Sequence, residues 1–510
     1  MKRRFEWKMI LMIVALVGVC ACEKDDPNNG RMPPEPPVEP PVEEVDILPA
    51  PLPQENYSPS LLGKPYKPIM VGYSGSVPVT NWTQAKTRIL PYLVDFMADT
   101  TAATYKSRTN RYGSCIDKPR QEVTGRFYVK KIDGRWWIVD PEGYLHYERS
   151  VTSLRKGSSD RNKSSWNSRF GSDSRWMQIT QSELASIGFH GTGAFCTDTY
   201  QMIQEYNRSN PDRPMTLAPS FGFLTNFRRA MNYEYPGGSS ANAVGLVYYG
   251  GWESFCETYI RTNLAVYLND RNVLGFFSDN EIDFSSGGSK ILSRFLSISD
   301  KTDKAYLAAK QFMEEKGASS VTDALNSEFA GRVAEVYYKG VKEAIKKIDP
   351  GMMYLGTRLH GTPKYLQGVV EAAGRYCDIV SINYYSRWSP ELDTYVSKWA
   401  TWANAPFMVT EFYTKAMDSD LPNTSGAGLA VPTVKDKAYA YQHFTLGLLE
   451  AKNCVGWHWF KYQDDDGTDN DGKPANKGVY DNYYQMYPYL AKYMKNLNYN
   501  VYSLIDYFDN

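Results

Sequence analysis

The chain has 510 residues, with 57 basic and 57 acidic side chains. Setting aside an N-terminal segment of 21 residues that carries four Lys/Arg and one Glu leaves 53 against 56, a charge of about −3. A nucleic-acid binder would normally show a basic excess or a basic stripe, so the balance argues against that class. At 42% hydrophobic and 22% charged the chain is not a disordered one either. The 14% aromatic share, with 39 Tyr and 12 Trp, points to flat amphipathic surfaces of the kind on which sugars stack, or to a Tyr-rich exterior with no ligand.

The N-terminus reads as an address. Lys2, Arg3, Arg4 and Lys8 precede an apolar run over 9–19, which is too short to span a bilayer and fits a secretory segment. It ends in Val19-Cys20-Ala21-Cys22, which resembles a bacterial lipoprotein signal. That resemblance implies a signal peptide over 1–21, lipidation of Cys22 and an outer-membrane, surface-exposed location. The following Glu23-Lys24-Asp25-Asp26 resembles the acidic export signal of surface lipoproteins in Bacteroides-type bacteria. The alternative is plain secretory cleavage with no lipid. Residues 22–56 form a tether: ten prolines fall within 27–53, with too few apolar residues to bury. Roughly 30 such residues at about 3.1 Å each hold a domain up to ~90 Å from a membrane.

The five cysteines beyond the signal, Cys115, Cys196, Cys256, Cys377 and Cys454, are odd in number and show no CxxC spacing. Neither a disulfide framework nor a zinc site is indicated, and small buried residues are expected. There is no phosphate-binding glycine loop, no GxSxG elbow and no internal repeat.

A segment over 57–124 precedes a hairpin whose turns fall at Asp133-Gly134 and Pro141-Glu142-Gly143. From there, strands are expected at 146–154, 189–194, 216–221, 273–278, 353–357, 379–383, 407–410 and 455–459. Helical patterns separate most of them, clearest over 329–347 and 435–452. Eight strands alternating with helices predict an α/β fold, a (β/α)8 TIM barrel over 125–510 with a short N-terminal β-containing segment. A doubly wound sheet would alternate similarly but run shorter. The longest insertion, 282–327, follows the fourth strand.

Barrel chemistry sits at the C-terminal ends of the strands. There the fourth strand runs into Asp279-Asn280-Glu281 and the seventh into Thr410-Glu411-Phe412. A lone Glu after a strand is usually a solvated loop residue or a helix N-cap neighbour. A pair facing one cleft can divide labour, one carboxyl protonating a leaving oxygen while the other stays ionised and attacks.

With these residues the sequence resembles the clan A glycoside hydrolases. Within the clan it is most similar to the β-agarase-like families 50 and 86. The likeness rests on Trp136-Trp137-Ile138-Val139-Asp140-Pro141-Glu142-Gly143, Asp279-Asn280-Glu281, Thr410-Glu411-Phe412-Tyr413 and His458-Trp459-Phe460-Lys461-Tyr462-Gln463-Asp464. It implies Glu281 as acid/base, Asn280 as donor to a sugar 2-hydroxyl, and Glu411 as nucleophile of a retaining reaction. It also implies a Tyr on strand six bonded to the nucleophile, Tyr384 or Tyr385 with Tyr384 favoured. On strand eight it implies a Trp under the reacting sugar, Trp457 or Trp459 with Trp459 favoured. Where the likeness would put an Asp-Pro-rich segment, the chain reads Val247-Tyr248-Tyr249-Gly250-Gly251, a place to shape a subsite.

Of the five histidines, His146, His190, His360 and His458 sit in or just after predicted strands. Neutral imidazoles can serve sugar hydroxyls, which makes His190, His360 and His458 substrate-binding candidates beside the packed-residue reading. Arg358 is a candidate reader of a charged substituent, or a structural ion pair. Asp464-Asp465-Asp466 with Asp469 and Asp471 could suggest a calcium loop, but Asn476 stands where an EF-hand counted from Asp465 needs Glu. No metal or cofactor is called for.

The function expected is cleavage of a β-linked polysaccharide or oligosaccharide, a galactan above all, by a monomer whose sole membrane contact is its lipid. The competing class is a surface glycan-binding lipoprotein, and Glu at both 281 and 411 speaks against it.

Overall fold

In the computed structural model the described residues are 66–73, 79–98, 100–233, 240–286, 290–468 and 474–510. The expected signal segment, Cys22, the tether, Asp469 and Asp471 lie outside them. All belong to one compact unit, Pro36–Asn510. Among the described residues no helix is long and apolar enough to cross a membrane.

Strand β1 (Lys67–Gly72) pairs antiparallel with β2 (Trp82–Thr87). Strands β3 (Tyr128–Ile132) and β4 (Arg135–Val139) form the expected hairpin. Its two-residue turn needs positive φ twice, and Asp133 and Gly134 supply 49° and 84°. The expected strand at 146–154 divides: β5 (Leu145–His146) joins the hairpin, and β6 begins after Tyr147 (Glu148–Val151).

β6 then enters a parallel sheet with β7 (Gly191–Thr192), β8 (Thr216–Leu217), β9 (Val380–Asn383) and β10 (Phe407–Glu411). Two short strands, β11 (Thr414–Ala416) and β12 (Leu429–Val431), pair with each other, and β12 pairs with β1. The residues preceding the hairpin thus help build a four-stranded sheet beside the end of β10. The last strand, β13 (Cys454–Trp459), completes the parallel sheet in the order β8-β7-β6-β13-β10-β9. Every residue of β6, β9, β10 and β13 is buried, as expected for parallel strands covered on both faces.

The fold is therefore mixed α/β. The expected fourth and fifth strands do not form ladders. They appear as isolated parallel bridges, Leu217–Val273, Ser220–Phe277, Phe276–Tyr354 and Leu359–Ile382, in the interval between β8 and β9. Pro219 has no N–H to give a ladder there, though its carbonyl accepts from Phe277 at 2.9 Å. A separate apolar cluster collects Ala194, Ala218, Leu274, Phe277, Leu355, Ile379, Met408 and Val455, contributed in turn from strand two to strand eight.

The two expected helices are present as Asp323–Ile348 and Val434–Glu450. Thr322 caps the first, and lysines occupy its last turn. The second opens with a Thr433/Asp436 capping box and is buried almost all round. It lies between β13 and the helix Pro488–Tyr499, and it also touches β2 and β11. The five cysteines are buried and unpaired.

Candidate active site

Arg358 organises the site. Its side chain is fully buried, with one nitrogen donating to Glu411 Oε1 at 2.5 Å and to the Thr410 carbonyl at 3.1 Å, and the other to Asn280 Oδ1 at 3.0 Å. The guanidinium lies over the Phe195 and Phe277 rings, 4.9 and 5.5 Å from their centroids. It is the partner of the Glu411 carboxylate, and its two terminal nitrogens are engaged inside the protein rather than on a charged substituent.

Glu411 ends β10 and pairs in register with Asn383 at the end of β9. Its other oxygen accepts from Tyr385 OH at 2.6 Å. Burial pushes its carboxyl above the usual range, Arg358 pulls it back, and the nearby charge of Glu281 pushes it up again. Glu281 accepts from Asn383 Nδ2 at 2.8 Å and lies 3.9 Å from His360 Nδ1. The two carboxylates differ in access: the Glu281 side chain is 32% exposed and that of Glu411 7%. One is open to solvent, while the other is shielded from it and gripped by Arg358 and Tyr385.

Asn280 is exposed, and its Oδ1 is occupied by Arg358 and, at 3.4 Å, by Asn383. An amide whose oxygen is engaged presents its NH2 group, so Asn280 offers donors to whatever fills the cleft. Left-handed backbone recurs after the strands at this pole, at Ser153, Phe195, Glu281, Arg358 and Ser386. Such residues cluster where the surroundings over-determine the backbone, commonly at functional sites.

Five expected substrate contacts are corrected. Alternation along β9 turns Asn383 and Tyr385 to the site and Tyr384 away. Tyr384 OH donates to Glu391 at 2.9 Å, and its ring packs on Trp399 and Phe444. The same alternation along β13 turns both Trp457 and Trp459 toward the helix Val434–Glu450, where each meets Tyr441. Trp457 Nε1 donates to Tyr441 OH and Trp459 Nε1 to the Lys477 carbonyl. His458 does turn inward but is fully buried, 3.4 Å from Glu148, which also bonds His146 at 2.8 Å. His190 precedes β7, at the opposite pole, and is buried against Tyr105 OH at 2.7 Å. His360, Asn280, Glu281 and Glu411 do come together. Asn383 was not anticipated; its one signal was its place two residues before Tyr385.

A buried and a half-exposed glutamate facing the same space, with polar groups fixing both, is the equipment glycoside hydrolases use. No family model matches the chain. The β-agarase B of Vibrio sp. (strain JT0107) is 23% identical over 489 residues, 77% of this chain and 50% of that protein. The chain thus spans about half the length of that curated relative. The crystal structure of BpGH50 is 47% identical, covers 91% of this chain and all of its own, and superposes with a TM-score of 0.83. The structure of the agarase AgWH50C is 19% identical, covers 78% of this chain and 66% of its own, with a TM-score of 0.64, a likeness of fold. The chain belongs to glycoside hydrolase family 50.

Proposed function

We propose that the protein is a retaining glycoside hydrolase acting on a β-linked galactan of the agar type. The observation that carries this is the grip on Glu411: a buried carboxylate bonded by Arg358 and Tyr385, beside a more exposed Glu281. Those two donors stabilise the anion and aim it, which a nucleophile needs, while Glu281 has the solvent access a proton shuttle needs. In the first step Glu411 attacks the anomeric carbon as Glu281 gives its proton to the departing oxygen. In the second, Glu281 takes a proton from water, whose oxygen displaces Glu411. Asn280 donates to a hydroxyl of the reacting sugar, and His360 lies on the Glu281 side to meet the leaving group. The galactan reading is supported by the agarases among the relatives.

The architecture proposed for this chemistry is a (β/α)8 barrel. It is supported by the four parallel bridges between β8 and β9 and by the interior cluster drawn from strands two to eight. The Cys22 anchor, the Pro-rich tether and a surface location are proposed on the sequence alone.

The test is product release from agarose, porphyran, pectic galactan, mannan, xylan and mixed-linkage β-glucan, run beside Glu411→Ala. NMR would read the anomeric configuration of the first product. Release from agarose with a β-configured product, abolished in the variant, is expected. An α-configured first product would overturn the retaining step. Retardation in a galactan gel without release would make the protein a binding protein instead.

A further inference from the structure

The turn that carries Glu281 has two sides. Ser278 N–H donates to the Gly356 carbonyl at 3.0 Å and Glu281 N–H to that of Thr357 at 2.8 Å, so both ends of the turn are hooked to the neighbouring strand segment. Between these hooks Asn280 and Glu281 reach the cleft, while Asp279 points the other way and is 5% exposed. Its Oδ2 accepts from Tyr337 OH at 2.5 Å and from Leu224 N–H at 3.1 Å. Leu224 lies in the first turn of the helix Phe223–Ala230, whose N-cap is Gly222 and therefore brings no side chain of its own. Asp279 supplies that missing cap from the next strand. The Tyr337 hydroxyl, its one proton given to Asp279, also lies 2.7 Å from Ser278 Oγ, which in turn is 2.7 Å from Tyr354 OH.

We infer that Asp279 is a positioning residue acting through Glu281: its carboxyl clamps the outer side of the turn so that the inner side keeps its aim. The inference rests on the role proposed for Glu281. Glu281 holds φ at 55°, a conformation that costs a non-glycine residue and persists only under such restraint. The titratable groups facing Asp279 are Tyr337 and Tyr338 from the helix Asp323–Ile348, Cys256 and Tyr259 from the helix Trp252–Asn263, and Tyr354. Each of these has its own pKa pushed up by burial, so each is neutral near pH 7. With no cation among them, burial pushes the Asp279 carboxyl up to about 7, although Tyr337 and the backbone N–H groups pull against it. The clamp therefore changes protonation within the neutral range.

The experiment compares kcat and KM on agarose oligosaccharides from pH 5 to 9 for the wild type, Asp279→Ala, Asp279→Asn, Tyr337→Phe and Glu281→Ala. Asp279→Ala is expected to lower kcat about tenfold or more with KM changed less than about threefold, because the loss falls on the transition state. Tyr337→Phe should reproduce part of that loss. Asp279→Asn should recover most of kcat below pH 7 and lack the wild-type ionisation near 7. Thermal unfolding gives a readout that needs no substrate. A carboxyl whose folded pKa is raised costs stability as pH rises from about 4 to 7, so the wild-type Tm should fall relative to Asp279→Asn by a few degrees across that window. Unchanged kcat in both Asp279→Ala and Tyr337→Phe would overturn the inference. So would a Tm difference that is flat with pH. Full activity in Glu281→Ala, or an inactive wild type, would instead sink the proposed function, with the unfolding arm still deciding the state of Asp279.

Discussion

Arg358 and Glu411 form a buried ion pair at 2.5 Å, and the same guanidinium holds Asn280 at 3.0 Å. One side chain thus spans the strand-seven carboxylate and the residue beside the strand-four carboxylate. Breaking such a pair from one side strands the remaining charge in a poorly solvated place, which costs more than the pair itself contributes.

Arg358→Lys keeps the charge but loses the fork that reaches both partners. It should lower kcat roughly 10–100-fold, since the geometry rather than the charge is lost. The sign of the pH effect follows from the forces on Glu411. Burial already raises its pKa and Arg358 lowers it, so a weakened cation lets it rise further. The acidic limb of the kcat/KM profile should move to higher pH in the variant. A limb that stays in place would mean that Arg358 does not govern the ionisation of Glu411.

Tyr384 and Tyr385 separate cleanly by side of the strand. Tyr385→Phe removes a donor to Glu411 and should lower kcat about tenfold with little change in unfolding temperature. Tyr384→Phe removes a bond to buried Glu391 and should cost about 1–3 kcal/mol of stability while kcat stays within about twofold. Parallel steady-state kinetics and urea unfolding of both variants would read this; the reverse pattern would place the wrong tyrosine on the nucleophile.

Much of this was legible in the residues. The hairpin announced itself in Asp133-Gly134, and both long helices were found within six residues at either end because their apolar periodicity is strong. The carboxylate pair was visible because charge directly after an apolar run is unusual. What failed was direction. A period of two states that neighbours on a strand face opposite ways but not which of them faces in, so Tyr384, Trp457 and Trp459 were assigned to the wrong side. His190 failed for a different reason: it stands at the start of its strand, the end opposite the one where a barrel's chemistry gathers. Arg358 stands out in the sequence, but nothing there reveals that its side chain reaches past the end of β9 to Glu411.

Trp457 and Trp459 are structural on this account. Trp459→Ala should cost about 3–5 kcal/mol of stability, as for other large-to-small changes in a close-packed interior. Trp459→Phe should be milder and leave KM unchanged, because the ring lies among Phe412, Tyr441 and the Lys437 ammonium rather than in the cleft. A large rise in KM for Trp459→Phe, with stability retained, would return this residue to the substrate.

His443 gives the fold a defined acid sensitivity. Its ring is buried on the helix Val434–Glu450, where Nδ1 accepts from Arg88 N–H at 2.8 Å and Nε2 shares a hydrogen bond with Ser389 Oγ at 2.7 Å. Burial, with the Arg88 charge adding to it, pushes its pKa down to about 3. The unfolded chain takes up this proton near pH 6.5, whereas the folded one refuses it until far lower pH. Stability is therefore untouched by His443 above about pH 6.5 and is lost progressively as pH falls from there toward 3. At pH 5 the gap amounts to about 2 kcal/mol. His443→Gln has no such proton to take up. Measured by urea unfolding, it should be less stable than the wild type at pH 7.5, yet lose about 2 kcal/mol less on going to pH 5. His190, whose pKa burial also pushes well down, remains in both proteins and cancels in the comparison. Equal losses in the two proteins would mean that the His443 ring accepts its proton within the fold and that the N-terminal segment docked on it yields as the pH drops.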